Sequence, residues 1–308
     1  MKYELRSDQS LHKNLLRIFR QQIDAGLALA RGERKPEDTL VHDMRKHLKK
    51  ARAVLRLLRE QIGRGSFCRE DRRLRAIGRL MTEVRDAEVR LQTMRQLEQA
   101  THHHYPSYQK IERLLAVELE TFLAAFAGWE EKALRLLERA RRASKKWPRT
   151  NYTWRRLRRA IQQTYKSGRK ALAKARAEPS AENIHELRKQ TKLLGYQIRL
   201  LRPWNDLVVG GVIEELTLLG HLLGRVHDLV FLADRLRLER SESHWGKQDD
   251  ELLGLVENSE AELQRDGIEI AERFFGERPS KFGIHLDEWF KNWHRTKTPS
   301  VVEGLIAA

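Results

Sequence analysis

The sequence has 308 residues, enough for one large domain or for two of about 150 residues each. Its 60 Lys and Arg residues exceed its 43 Asp and Glu residues by 17, which favours a polyanion or an anionic surface as partner over a small neutral substrate. The single cysteine, Cys68, excludes an internal disulfide framework and a zinc cluster built from cysteines.

The first residues and the most apolar segment indicate in which compartment the protein resides and whether it enters a membrane. The first ten residues lack the apolar stretch of a signal peptide, so we expect a cytoplasmic protein. The most apolar window, 207–224, contains Glu214, Glu215 and His221. Because these polar groups are costly in a bilayer core, we expect no membrane insertion.

Proline positions and apolar periodicity divide the chain into helices. The seven prolines fall between long stretches of helical periodicity, and no segment alternates in the way that is typical of a strand. The sequence therefore predicts an all-α protein. The predicted helices are, in chain order, 9–31, 36–61, 70–99, 107–145, 151–177, 180–202, 209–240 and 248–276, with a shorter helix at 280–294. A break at Gly128 is left open.

The chain matches itself when it is shifted by 143 positions. Between residues 28–59 and 171–202, twelve of the 32 aligned positions are identical. The repeat predicts two copies of a four-helix unit, 1–147 and 148–277, followed by a C-terminal helical appendage at 278–308. Aromatic residues in the appendage favour a cap on a bundle over a contact with a partner.

The repeated helix carries a basic face in both copies, because residues three and four apart lie on the same side of a helix. The first face consists of His42, Arg45, Lys49, Arg52 and Arg56. The second consists of His185, Arg188, Lys192 and Arg199, with Gly195 at the position that corresponds to Arg52. Neither face contains an acidic residue, although like charges at this spacing repel each other. A bound polyanion would neutralise that repulsion, so both faces are predicted to contact one.

Four segments of the chain resemble the CHAD family, the conserved histidine α-helical domain. V-H-D-M-R-K-H-L-K-K-A-R-A-V-L-R at 41–56 and I-H-E-L-R-K-Q-T-K-L-L-G-Y at 184–196 resemble its two signature helices. The R-D pair at 85–86 and L-G-R-V-H-D at 223–228 resemble two further helices. The resemblance implies two four-helix bundles related by a pseudo-two-fold axis, whose basic helices line a cavity that binds inorganic polyphosphate. It also implies association with polyphosphate granules.

The family pattern implies particular ligand contacts in this chain. The principal contacts are the two basic faces, and the secondary contacts are Arg79, Arg85, Arg225 and His227. Asp86 and Asp228 are expected to orient neighbouring cations. The two halves are expected to contribute unequally, because Gly195 removes one basic group.

The implied ligand agrees with the chemistry of the two faces. Polyphosphate offers only anionic acceptor oxygens, so Arg and Lys on rigid helices suffice to bind it, and binding should be multivalent and sensitive to salt. A nearby polyanion also favours imidazolium, which predicts tighter binding towards pH 6 through His42 and His185.

Two alternatives to polyphosphate binding are weighed. An enzyme of phosphate chemistry is disfavoured because no H-E-x-x-H, P-loop or G-x-G-x-x-G motif occurs, and because His102–His104 are consecutive and suit a polar loop better than a metal site. We therefore expect no catalytic residue, metal or cofactor.

Nonspecific nucleic-acid binding is the stronger alternative, given the basic segments 141–146, 154–159 and 166–170. Aromatic residues, at 7%, are too scarce to suggest that bases are read.

Overall fold

The structure is a computed structural model that describes residues 2–101, 106–148, 151–242 and 245–295. These residues form α-helices and one 3₁₀ turn at Arg202–Trp204 and contain no strand, so the all-α prediction is confirmed. In chain order the α-helices are α1 (Leu11–Ala30), α2 (Leu40–Leu57), α3 (Arg59–Ile62), α4 (Arg64–Leu80), α5 (Thr82–Thr101), α6 (Pro106–Ala125), α7 (Trp129–Lys145), α8 (Trp154–Ala177), α9 (Ala181–Arg199), α10 (Asp206–Glu242), α11 (Lys247–Phe275) and α12 (Pro279–Arg295).

Side-chain caps set the first turn of the two basic helices. The Thr39 hydroxyl accepts a hydrogen bond from the backbone N–H of His42 at 3.1 Å, and the Ser180 hydroxyl accepts one from that of Asn183 at 3.4 Å. Such caps satisfy backbone donors that a helix start leaves without a partner. The caps lie a few residues after Pro36 and Pro179. Because proline interrupts a helix that comes from the preceding segment, α2 and α9 begin as new helices.

Three of the predicted helices are divided in the structure. The predicted helix 36–61 is divided at Leu58 into α2 and α3. The predicted helix 107–145 ends as α6 and resumes as α7, because Gly128 adopts the left-handed conformation with φ of 78°. The predicted helix 70–99 is divided into α4 and α5 at Met81. There the Met81 N–H bonds to the carbonyl of Gly78, three residues back, instead of continuing the α-helical ladder.

The helices pack as two four-membered rings. In the first, α1, α2, α4 and α7 each contact two neighbours, and in the second α8, α9, α10 and α11 do the same. The rings meet where α2 packs against α8 and α9. The hairpin of α5 and α6 extends from the first ring onto α10 and α11, and a second apolar core forms there around Tyr108 and Leu232.

The helix α12 closes one side of the second ring. Its Trp289 and Trp293 are buried, and the Phe290 ring stacks on Trp154 with ring centroids 4.5 Å apart. The remainder of the predicted appendage, 296–308, lies outside the described residues.

One helix among the described residues, α10, is long and apolar enough to cross a membrane by length and composition alone. In this fold α10 packs against α9, α11 and α5, and its residues Leu219, Leu223 and Val226 belong to the apolar core.

Candidate functional site

The two basic faces meet around three adjoining cavities. The α2–α9 cavity has a volume of about 140 Å³, the α4 cavity about 250 Å³ and the α5–α10 cavity about 740 Å³. Lys49 and Arg52 line both of the first two, and Arg188 and Lys192 line both the α2–α9 and the α5–α10 cavities. Because their walls share side chains, the three cavities form one region, which we call the basic cleft.

The apolar faces of α2 and α9 determine which way the cations point. On α2 the residues Met44, Leu48 and Leu55 are buried, and on α9 Leu187 and Leu194 are buried. Because the apolar stripe of each helix is held in the core, its basic stripe faces away from that core, towards the place where the two rings meet. The local sequence thus orients each cation, and the contact between α2 and α9 brings the two sets together.

Some cleft cations are held by the protein itself. The Arg52 guanidinium donates to Asp71 at 2.8 Å, and Arg75 lies 2.8 Å from the other oxygen of the same buried carboxylate. Arg45 donates to the Gly78 carbonyl at 3.1 Å. That carbonyl lies at the α4–α5 break, so the irregular backbone supplies an acceptor that a continuous helix would not leave available.

Four cleft cations on α2 and α9 have neither an ion pair nor a side-chain hydrogen bond to any residue that the structure describes. They are Lys49, Arg56, Arg188 and Lys192. The Nε atom of Arg188 is buried from solvent and still lacks an acceptor among the described residues. Buried donors in proteins are normally satisfied, so Arg188 Nε is available to donate to an acceptor that enters the cleft.

Two glycines on α10 create the space for the α9 cations. A Cβ atom at Gly224 would lie 3.4 Å from Arg188 Nε, and one at Gly220 would lie 3.0 Å from Lys192 Cε. The absence of both side chains lets Arg188 and Lys192 lie along the surface of α10 at the edge of the α5–α10 cavity.

The surroundings of the cleft cations disfavour their protonated forms. Burial lowers the pKa of Arg188 and of Lys192, and in Lys192 the neighbouring Arg188 lowers it further. The pKa of Lys49 is lowered to about 7, first by loss of solvation among the surrounding protein atoms and then by Arg188, Arg45 and Lys192. The Lys49 side chain is nevertheless exposed along the cleft, so both water and an anion can reach its ammonium group.

The two carboxylates that were expected to orient cations lie within electrostatic range of them. Asp228 lines the α5–α10 cavity and acts on Arg188, while Asp86 acts on Arg45. Burial raises the pKa of both carboxyl groups. Neither forms an ion pair within 4.0 Å in the described part of the chain. The two carboxylates therefore reduce the net positive charge of the cleft without direct contact with its cations.

The histidines of the predicted site occupy two different environments. His42 lines the α5–α10 cavity and lies 3.5 Å from Asp38. His185 and His227 line none of the three cavities and pack against each other with ring centroids 4.4 Å apart. Burial lowers the pKa of all three, that of His227 to about 3. In the ligand-free protein these side chains are therefore neutral at pH 7.

The other predicted contacts are distributed around the cleft. Arg85 and Arg225 line the α5–α10 cavity and Arg79 lines the α4 cavity. Arg199 lines none of the three and donates to the Thr217 hydroxyl at 3.3 Å. The run His102–His104 lies outside the described residues, and among those described no three His, Cys, Asp or Glu side chains group as metal ligands would.

Many residues that line the cleft were not predicted as contacts, and they include the cations Arg75, Arg95 and Lys189. Arg75 and Tyr196 line cavities beside the predicted cations, as do His221 and Gly220. The spacing of Gly220 and Gly224, one helical turn apart, was the available signal for the α10 wall. Arg75 had no such signal, because it belongs to neither repeated helix.

The chain is similar to known proteins in sequence and in fold. The sequence profile of the CHAD domain matches residues 17–237, which include both basic helices and the whole cleft. A search of curated proteins found no match. Among solved structures, PptA from Streptomyces chartreusis is similar with a TM-score of 0.62 at 16% identity, over 87% of this chain and 98% of that one. The CHAD domain from the plant Ricinus communis is similar with a TM-score of 0.60 at 16% identity, over 90% of this chain and 94% of that one. These neighbours share the all-α fold, and the profile match over most of the chain shows that this protein belongs to the CHAD domain family.

Proposed function

We propose that this protein binds inorganic polyphosphate in the basic cleft without acting on it chemically. The observation that carries the proposal is the group of four cations that lack partners among the described residues, contributed by both α2 and α9 around cavities that share their walls. A chain of phosphates would supply acceptor oxygens to each of them in turn. It would also relieve the repulsion that now lowers the pKa of Lys49 and Lys192.

The lining of the cleft favours phosphate over nucleic-acid bases. Among the described residues that line the three cavities there is no Phe or Trp, and the rings on the walls are those of Tyr196, His42 and His221. Proteins that hold single-stranded nucleic acids stack bases on several such rings. A ligand without bases, such as polyphosphate, does not need such stacking to bind in the cleft.

The proposal extends to cellular context. A binding protein of this chemistry requires no catalytic residue, metal or cofactor, and we place it in the cytoplasm at polyphosphate granules, without membrane insertion. Binding there would serve location, with the cleft as the point of attachment to the polymer.

The test of the proposal is a competition titration. Labelled long-chain polyphosphate is displaced by single-stranded RNA or duplex DNA at matched phosphate content, at about 150 mM salt and at twice that concentration. We expect polyphosphate to bind more tightly than either nucleic acid at both concentrations, and Arg45→Ala with Arg188→Ala to remove the difference. Equal competition by RNA or DNA, or a double variant that behaves as wild type, would show that the cleft is not a polyphosphate site and would favour nonspecific nucleic-acid binding.

Lys49 should make polyphosphate binding depend on pH. Its pKa in the free protein is about 7, and contact with an anion favours the protonated form, so binding takes up a proton above pH 7. The contribution of Lys49 to the affinity for polyphosphate is complete below pH 7. Above pH 7 it is lost, and the affinity falls by up to about tenfold per pH unit. Lys49→Gln should flatten the profile between pH 6 and 9 at constant ionic strength. The exposed Lys132→Gln on α7 should keep the wild-type slope, and an equally steep profile in Lys49→Gln would contradict the assignment.

A further inference from the structure

The outer face of α8 carries a second set of cations, separate from the cleft. Among the α-helices of the described residues, α8 alone contains no Asp or Glu, although it has nine Arg and Lys residues. Six of these are exposed and lie within an arc of roughly 100° opposite the buried face, at about 100° per residue. We call them the α8 basic row, and they are Arg155, Arg156, Arg159, Lys166, Lys170 and Lys174. None of them lines the cavities of the cleft.

The packing of α8 keeps this row at the surface. Leu157, Ile161 and Leu172 are buried on the opposite side of the helix. At Gly168 the helix approaches α11 so closely that a Cβ atom would lie 2.4 Å from the ring of buried Phe275. Because α8 is held there, the row stays exposed along about 28 Å, at 1.5 Å per residue.

The row has no counter-charges of its own. Arg158 and Arg176, at its margins, pair with Asp287 and Glu272 at 2.9 Å and 2.6 Å. In the part of the chain that the structure describes, none of the six row residues has an ion pair or a side-chain hydrogen bond. Since like charges at i and i+4 destabilise a helix, this arrangement has a cost that a polyanion would remove.

The helix α7 shows the usual arrangement of surface charge. It also exposes several cations, but acidic residues are interspersed with them. Glu131 lies 3.8 Å from Arg135, and Glu138 lies 3.2 Å from Arg31 of α1. The contrast sets α8 apart from an ordinary solvated helix and provides a matched control surface in the same protein.

We propose that the α8 basic row is a second subsite for polyphosphate, occupied by the part of a long chain that extends beyond the cleft. The proposal rests on the function proposed above. The helix packs directly against α9 and α2, which bear the cleft cations, so the width of one helix separates the row from those two helices. The row offers no aromatic platform for bases, because Trp154 stacks on Phe290 and Tyr165 is buried.

Two linked subsites predict a dependence on chain length. A short polyphosphate of roughly 21 Å, the rise of α2 from His42 to Arg56 at 1.5 Å per residue, fills the cleft alone. A long chain engages cleft and row together, and the second contact is then intramolecular, which raises affinity without any change in the cleft.

The experiment compares three full-length proteins with short and long polyphosphate. The row variant combines Arg159→Gln, Lys166→Gln and Lys170→Gln. The control removes the same charge from exposed positions of α7 through Lys132→Gln, Arg139→Gln and Arg142→Gln. For the row variant we expect at least about tenfold weaker binding of the long chain, and a slope of log affinity against log salt that is shallower by about two. Its affinity for the short chain, and both affinities of the control, should match wild type.

Each other outcome overturns the proposal in a distinguishable way. Unchanged long-chain affinity in the row variant, or an equal loss in the control, would exclude a subsite on α8 and leave the cleft unaffected. A row variant that loses RNA affinity but keeps long-chain polyphosphate affinity would assign the row to nucleic acid. Failure of the short chain to bind wild-type protein would reject the proposed function of the cleft and, with it, this extension.

Discussion

Replacing Arg188 and Lys192 together with glutamine is expected to weaken polyphosphate binding by at least a hundredfold. Both side chains line two of the three cavities, and neither has a partner among the described residues. A hydrogen bond to a charged group contributes about 1.5–3 kcal/mol, so the loss of two corresponds to a factor of about 100 or more in the dissociation constant.

The same double variant should fold at least as stably as wild type. The two cations repel each other and the neighbouring Lys49, and burial already disfavours their charged forms. The shorter, neutral glutamine side chains relieve both costs. Titration with polyphosphate at constant salt, with thermal unfolding measured in parallel, checks both parts. Lys132→Gln with Arg139→Gln removes the same charge from α7 and should bind as wild type. Retained affinity in the cleft variant, or an equal loss in the α7 variant, would contradict the site.

Trp204→Ala is expected to lower the free energy of unfolding by about 3–5 kcal/mol. Trp204 is buried in the 3₁₀ turn, and its ring lies 5.1 Å from Trp154, 5.4 Å from Phe290 and 5.0 Å from Trp293. It therefore connects α8 to α12, and its truncation leaves a cavity in the centre of that aromatic cluster. Urea unfolding followed by circular dichroism measures the change.

Two further variants separate packing from hydrogen bonding at this position. No described residue accepts a hydrogen bond from the buried Nε1 of Trp204, so Trp204→Phe keeps a ring and removes an unsatisfied donor. It should cost much less than Trp204→Ala. Trp245→Ala, at a partly exposed tryptophan, should also cost much less. A loss in Trp204→Phe as large as that in Trp204→Ala would mean that the indole ring's shape or its N–H, rather than aromatic packing, stabilises the cluster.

The helical class and the basic faces could be predicted because both follow from local periodicity. The spacing of His42, Arg45 and Lys49 identifies one side of a helix whatever surrounds it, and the apolar residues between them identify the buried side. The repeat showed which second helix carries the same pattern. The division of the predicted helix 70–99 at Met81 was missed, because no proline stands near that position to mark it in the sequence.

The sequence by itself determined the helices, the cations that each of them presents and the excess of positive charge. Only the tertiary structure decided which cations share a cavity. It leaves Arg188 and Lys192 beside the α10 glycines with no partner in the described part of the chain, pairs Arg52 with Asp71, and packs His185 against His227 away from the cavity walls. The physical reason is range. Helix propensity and periodicity act over a few residues. Ion pairs such as Arg52 with Asp71, and the pKa of Lys49, which Arg188 lowers, depend on side chains that different helices contribute and that only packing brings together.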